Sequence, residues 1–471
     1  MSTQTPRAHA STALDSAPGT GRPSPLLLLG LSLGYFMVLL DTTIVTVALP
    51  SISASLHGSL SSLQWVSNGY TLTFAALLLT AGALSDKFGG KRVFLVGLGA
   101  FAVISGVSAA AGSIGMLITM RTLLGIAGAA LLPTSLAIIA NSYTDPAARA
   151  KALGGWAAIT GMALAAGPVI GGVLTDTVGW RAIFLVNVPV ALVSIVLTAK
   201  FAKETVRRAS RGIDLGGQLA AIVALAGLTY GLIQSAPLGW TSPSVLGAFA
   251  VAVVAGIVFV LLERRDGAML PVGLFRIRTF SAGLLAGLLV NFGLSGALFV
   301  LSLFFQETRG YSAIIAGVAF LPLTLPTAFN PIFTGRLVAK IGPRVPSVIG
   351  FLLMAAGVLI QVPFTSNSPV SVVMSCVGLL LLGFGVSFAI PSLITAIVGA
   401  VPKEQTGIGS GALNSARQTG AVLGVAILGA VIGAYGGSAT GTAVSLAIIG
   451  VLLLVGAITV GTSIGRPAKV S

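Results

Sequence analysis

Charge is what this sequence has least of. Only 8% of its 471 residues are charged, against about a quarter in a soluble domain. With 55% hydrophobic residues and a mean hydropathy of +1.02, that excludes an ordinary soluble globule and reads as a polytopic membrane protein. Cysteine is nearly absent as well. Cys376 stands alone in an apolar run, so no disulfide can form within the chain. The two histidines are His9, in a polar tail, and His57, in an expected loop. Two such histidines, one cysteine and one deep acid make no catalytic constellation, which argues against an enzyme. No GxxxxGK[ST] loop occurs, so ATP drive is not expected. No metal or cofactor is expected either. Acidic residues number 11 against 26 Lys and Arg, a net charge of +15. The basic residues are scattered in short loops with no contiguous patch, so nucleic acid is not an expected partner.

What the sequence does have is apolar runs. Fourteen candidate spans are expected, roughly 26–50, 63–84, 93–112, 115–140, 152–174, 182–201, 214–234, 244–262, 280–304, 312–333, 346–363, 370–397, 408–434 and 441–464. Each approaches the ~20 residues that cross a bilayer. An even number puts both termini on one side. Of the 26 basic residues, twenty-two fall on that side and only Arg181 and Arg309 on the other; Arg121 and Arg417 lie inside spans. The positive-inside rule therefore makes both termini cytoplasmic. The 61 glycines suit close helix approach in a membrane.

The first run, Pro25 to Pro50, carries a full negative charge at Asp41. A carboxylate there costs at least ~2.5 kcal/mol, and such residues usually serve a path for ions or protons. Two readings stand: a proton site, or a structural carboxylate capped by Thr42 or Thr43. Asp41 lies ~22 Å from the cytoplasmic edge at 1.5 Å per residue. Arg121, in a span descending from the other side, lies ~9 Å below the opposite edge of a ~30 Å core. The two therefore sit at similar height and can pair, in a coupling role or as a purely structural interhelical bond. Asn291, Asn330 and Arg417 are the further deep polar residues. They are candidates for a cavity, or for plain interhelical bonding.

A faint repeat sets the domain plan. Gly82–Gly89 and Gly335–Gly342 both read GxLxxxxG, each followed by basic residues. Parallel six-helix halves would place them six spans apart; here they are eight apart. The simplest plan is 6+2+6. It gives a disordered tail (1–24), a six-helix bundle (25–203), two inserted helices (204–266), a second six-helix bundle (267–465) and a short tail (466–471).

Five stretches resemble one family. Leu40-Asp41-Thr42-Thr43-Ile44-Val45-Thr46-Val47-Ala48-Leu49-Pro50 is close to LDxTIVNVALP, with Thr46 in place of Asn. Gly82–Arg92 resembles GxLADRxGRK, with Lys87 and Gly90 each replacing an Arg. Arg121–Ala129 resembles RxxQGxGA, with Leu124 in place of Gln. Gly167-Pro168-Val169-Ile170-Gly171-Gly172 matches GPxxGG, and Asn414–Gly420 resembles NxxRQxG. In this order they resemble the major facilitator superfamily, in its 14-helix drug:proton antiporter branch. The resemblance implies an all-α integral membrane protein with the major facilitator fold. It implies a proton-coupled antiporter that exports small amphiphilic drugs or antibiotics across a bacterial inner membrane by alternating access. Its partners would be substrate, protons and lipid, its drive the proton gradient, and its state monomeric. Asp41 and Arg121 would then couple protons. Gly82, Asp86, Lys87, Gly89, Lys91 and Arg92 would form a conformational gate, unless they only anchor topology. Gly167, Pro168, Gly171 and Gly172 would form the antiport motif, a tight bent interface. The rivals are an exporter of an endogenous metabolite or lipid, and a non-transporting membrane sensor.

Overall fold

The computed structural model describes residues 24–205, 207, 214–265, 270–402 and 405–465. The terminal tails, apart from Ser24 and Gly465, and the loop residues Arg208, Arg211 and Lys403 lie outside the described residues. Helix is the only regular structure among those described.

The chain opens with α1 (Pro25–Leu56). Ser24 caps it and Pro25, whose missing N–H costs nothing at that position, starts it. It stops at His57, a non-glycine residue in left-handed conformation. Then come α2 (Leu60–Phe88), α3 (Gly90–Ala109), and α4 (Ile114–Ala129) with α5 (Leu131–Ser142) as one column broken at Ala130. Next are α6 (Pro146–Thr177), and α7 (Ala182–Leu185) leading into α8 (Asn187–Phe201). A hairpin of α9 (Leu215–Leu238) and α10 (Pro243–Leu262) follows. After it, α11 (Arg278–Leu303) runs on into a π turn at Phe304–Thr308. The column α12 (Ala313–Ala319), α13 (Leu321–Phe329) and α14 (Pro331–Ile341) is broken at Phe320 and Asn330. Each break precedes or flanks a proline, Pro322 or Pro331, which removes a backbone donor. The chain closes with α15 (Arg344–Leu359), α16 (Pro369–Ala400), α17 (Thr406–Ala434) and α18 (Ala439–Ser463).

Among the described residues, eleven helices are long and apolar enough to cross a membrane, fewer than the fourteen expected. The shortfall has physical causes. The side of α2 that faces other helices is polar, with Gln64, Asn68, Thr71, Thr73 and Thr80, so its mean hydropathy is low although it spans 29 residues. The α12–α14 column is interrupted, and α15 has only 16 residues.

Helices α1 to α8 pack chiefly on one another, as do α11 to α18. The α9–α10 hairpin packs through α9 onto α2 and α17. The two groups meet along α2–α17 and along α6 with α12 and α13. The face where α1 begins and α18 ends is called here the terminal face, and the opposite one the far face.

The repeat has a structural meaning at two levels. Gly89 (φ +94°) and Gly342 (φ +80°) both end a helix in a conformation that disfavours any Cβ, and the next helix starts at once. On a larger scale, Gly167 and Gly171 of α6 lie directly on Thr43 and Ile44 of α1. Gly420 and Gly424 of α17 lie in the same way on the Leu288 and Phe292 carbonyls of α11.

Candidate functional site

The one salt bridge among the described residues joins Asp41 Oδ2 on α1 to Arg121 Nη1 on α4. Neither side chain reaches solvent: exposures are 0% and 1%. The equal height expected from helix rise lets α1 and α4 bring the two groups together. The rest of the constellation was not legible as a site. Arg121 also donates from Nε to the Val66 carbonyl of α2 (3.1 Å) and lies over the Tyr70 ring at 4.5 Å. Tyr70 donates its hydroxyl to Val38 O (3.1 Å). Asp41 Oδ1 accepts a bond from Asn187 Nδ2 of α8 (3.2 Å). The same amide donates to Ser105 Oγ of α3 (3.1 Å), and Ser105 donates to Phe184 O (2.9 Å). Asn187 is fully buried, and its Oδ1 has no partner among the described residues. Asn187 heads a short Asn-Val-Pro stretch at the start of α8, and only depth arithmetic of the kind applied to Arg121 could have singled it out.

Asp41 does not face the central cavity. That cavity, about 120 Å³, lies between the two groups of helices. Its α1 wall is Tyr35, Leu39, Thr42, Thr43 and Thr46; its α11 wall includes Asn291 and Ser295. Arg417 and Asn414 enter from α17, Thr324 and Thr327 from α13, and Pro168 from α6. Arg417 donates from Nε to Asn291 Oδ1 (3.2 Å) and from Nη1 to Asn414 Oδ1 (3.3 Å). Neutral amides therefore hold a full cation in the cavity wall. Tyr35 is stacked on Trp156 of α6, centroids 5.2 Å apart. Asn330 is not among the lining residues; it donates to Ser387 Oγ on α16 (2.7 Å) and ties two helices of one group.

Between the cavity and the far face, several bonds join the two groups. Gln64 Nε2 donates to the carbonyls of Val425 (3.0 Å) and Ala426 (2.9 Å), and Asn68 Nδ2 to that of Val422 (3.2 Å). Ser302 Oγ donates to Thr46 O (2.8 Å) and Gln306 Nε2 to Val47 O (3.0 Å). The Asp176 carboxylate takes the backbone N–H groups of Ala313 (3.2 Å) and Ile314 (2.8 Å) at the start of α12. A carboxylate there also suits the positive end of the helix dipole. Glycines allow this approach. A Cβ on Gly172 would fall on the Ala313 carbonyl, and one on Gly317 on the Pro168 carbonyl. The Gly167-Pro168-Gly171-Gly172 stretch thus touches α1 with two glycines and α12 with a third.

At the terminal face the Gly82–Arg92 segment bonds within its own group. The Glu204 carboxylate accepts from Lys91 N (2.9 Å) and Arg92 N (3.3 Å), capping α3, and Thr205 Oγ1 accepts from Gly90 N (2.7 Å). Lys91 Nζ donates to Ala199 O and Ala202 O, both 2.8 Å, at the end of α8. Lys87 lies over the Phe88 ring. Asp86 is exposed, and no hydrogen bond to a described residue engages it. Glu204 was not anticipated from the sequence; it lies over Gly89, where a Cβ would meet its carboxylate at 2.5 Å.

Comparison with known proteins agrees with this architecture. The family model of the Major Facilitator Superfamily matches residues 31–425. A methylenomycin A resistance protein of Bacillus subtilis is 39% identical over 412 residues, 86% of each chain. The tetracenomycin C resistance and export protein of Streptomyces glaucescens is 36% identical, covering 91% of this chain and 80% of its own. The multidrug efflux pump LfrA of Mycolicibacterium smegmatis is 32% identical, over 89% of this chain and 83% of its own. Among solved structures, a bacterial homolog of the human lysosomal transporter Spinster superposes with a TM-score of 0.67 at 18% identity, covering 93% of this chain and 97% of its own. These relatives are transport and resistance proteins, not enzymes, and the chain itself belongs to the Major Facilitator Superfamily.

Proposed function

We propose that this chain is a proton-coupled antiporter that exports small amphiphilic drugs or antibiotics across a bacterial inner membrane by alternating access. The observation that carries the coupling is the buried Asp41–Arg121 pair, isolated from solvent in a span otherwise free of charge. An uncompensated charge at this depth costs several kcal/mol, so a change in the protonation of Asp41 must move something. Arg121 ties the pair to Val66 and Tyr70 on α2. The same helix carries Gln64 and Asn68, which latch α17 at the far face. Protonating Asp41 frees Arg121 from its counter-charge and loads that strain onto α2, the helix that closes the seam. The relatives' names, resistance and export, support the direction. Arg417, whose hydrogen-bond partners among the described residues are amides, favours neutral, zwitterionic or weakly anionic substrates over divalent cations. The test is transport in proteoliposomes with an imposed pH gradient, against a panel of antibiotics and dyes. Export that ignores the gradient would dismiss the coupling.

The reading includes fourteen passes in a 6+2+6 plan, with bundles at 25–203 and 267–465, the inserted pair within 204–266 and both termini cytoplasmic. It includes a monomer and no cofactor. In a Cys376→Ser background, single cysteines at Ser59, Pro237 and Ser438 should react with an impermeant reagent from outside, and one at Lys203 should not. Labelling at Lys203 would overturn the topology. In the same reading Asp86 and its basic neighbours engage the other bundle only when the far face opens, so their lack of cross-bundle bonds belongs to this closed-far-face state.

Asn187 belongs to the coupling set. Its amide presents N–H to Asp41, an orientation that suits a carboxylate. Asn187→Ala should lower uphill export about tenfold at equal expression, since a hydrogen bond to a charged group contributes about 1.5–3 kcal/mol. Downhill exchange should change far less. Equal losses in both assays would make Asn187 structural only.

A further inference from the structure

The central cavity has a larger neighbour. A second, of about 520 Å³, lies between the α9–α10 hairpin and the helices α2, α11 and α17. Its lining is almost wholly apolar and includes Ala75, Leu225, Phe259, Leu284 and Thr419, one from each of the five helices. Its size falls within the range of about 300–1,000 Å³ usual for small-molecule sites. It opens sideways: Val253 of α10 lines it and is 61% exposed on the outer surface of the helix group. Its depth is confined. Phe259 lies three residues from the end of α10, Leu284 six residues into α11, and Leu225 ten residues into α9. At 1.5 Å per residue the lining runs from ~5 to ~20 Å below the terminal face. That is largely the nearer half of a ~30 Å hydrocarbon core, the depth of one leaflet's chains.

The chain between α10 and α11 carries four arginines, with two acids beside the first pair: Glu263, and Asp266, which lies outside the described residues. Arg264 and Arg265 follow α10, and Arg276 and Arg278 lead into α11. All four are exposed, and none is in a salt bridge among the described residues. The two described carboxylates nearby are already engaged with backbone amides. Asp214 accepts from Gly217 N (2.8 Å) and Glu263 from Leu270 N (2.7 Å). The buried Glu263 carboxyl is pushed up from its usual range by burial, which reduces its competition for the arginines.

We propose that this lateral cleft is a binding site for an anionic phospholipid of the terminal-face leaflet, its acyl chain in the cavity and its phosphate on the arginines. Both requirements of such a ligand are met: an apolar slot at chain depth, and guanidinium groups near headgroup level that form no salt bridge among the described residues and can bind phosphate bidentately. The bound chain would touch both helix groups and the hairpin at once. This gives the hairpin a role that its sequence does not disclose. The proposal does not depend on what the protein exports.

The test uses the full chain in phosphatidylcholine vesicles, with a Leu225→Trp reporter and the unsubstituted chain as background. Dibrominated phosphatidylglycerol and dibrominated phosphatidylcholine are titrated in turn, and tryptophan quenching is read. The anionic lipid should reach half-quenching at a mole fraction at least about fivefold lower, the factor expected from about one engaged arginine. The combined variant Arg264→Gln, Arg265→Gln, Arg276→Gln, Arg278→Gln should lose that preference. Equal quenching by both lipids, no quenching by either, or a preference that survives the quadruple variant would overturn the proposal. So would displacement of the brominated lipid by an exported drug at its transport concentration, which would make the cleft a substrate vestibule. Leu284→Trp, on the opposite wall, provides a second reporter should the first not fold.

Discussion

Asp41→Asn should abolish uphill export while leaving substrate binding and downhill exchange in place. The substitution keeps the shape and a hydrogen-bond acceptor for Arg121, but it fixes the neutral state. If the return of the empty carrier requires a carboxylate to neutralise Arg121, the variant stalls there; exchange avoids that step. We expect a loss of at least about a hundredfold in gradient-driven export, equal to roughly 2.7 kcal/mol on the coupled step. This lies below the ~3–5 kcal/mol typically lost when one partner of a buried pair is removed. The measurement is proton release on adding substrate to protein in detergent, near the midpoint of its pH dependence. The parent should release protons and the variant none. Release of as many protons as the parent would place the coupling elsewhere and sink the central reading. Arg121→Lys keeps a charge but loses the fork that reaches Asp41, Val66 and the Tyr70 face together. It should show partial loss with a displaced pH optimum.

Gly172→Val should act on the other side of the cycle. The closed far face brings Gly172 directly against the Ala313 carbonyl, and no side chain fits between them. A valine there cannot be relieved by a rotamer change, because the obstacle is backbone. Overpacking of this kind costs about 1–3 kcal/mol or more. The chain can escape that cost by parting α6 from α12, which opens the cavity to the far side. A single cysteine at Ser295, in the cavity wall, should therefore react with an impermeant far-side reagent at least about tenfold faster in this variant than in the parent. Transport should fall with it. Gly171→Val is the control. Its Cβ would meet the Ile44 carbonyl of α1 at 2.7 Å, within one helix group, so no seam can open to relieve it. That variant should lose stability without faster labelling. Unchanged labelling in Gly172→Val would remove α6–α12 contact from the gating account.

Much of this arrangement was readable beforehand, and the part that was not has definite reasons. A carboxylate and a guanidinium in apolar runs announce themselves, and rise per residue alone puts Asp41 and Arg121 at one height. Asn187 carries no charge, and a single amide at a span end is ordinary. Its contacts with Asp41 and Ser105 emerge only when α8 is seen to pack on α1 and α3. The glycines of α6 announced a close contact but not its partners. That Gly172 faces α12, in the other group, depends on how the groups dock, which periodicity does not encode. Trp156 stacks on a cavity-lining tyrosine, Tyr35, a partner on another helix that its own place in the sequence does not name. Glu204 stands among several loop charges, and its capping of α3 shows only when the loop and Gly89 are seen together.

The isolation of the Asp41–Arg121 pair also bears on how the chain is made. The two partners are separated by 80 positions. At about 5–20 residues per second, α1 waits several seconds after synthesis before its counter-charge exists. During that interval the helix holds an acid that hydrocarbon rejects. It must either bind a proton or linger beside the insertion machinery until α4 arrives. Release of α1 into the lipid is thus timed by a residue three passes downstream. A variant with no cation at position 121, such as Arg121→Ala, would be expected to fail first at the ribosome-bound stage, before any transport assay could register it.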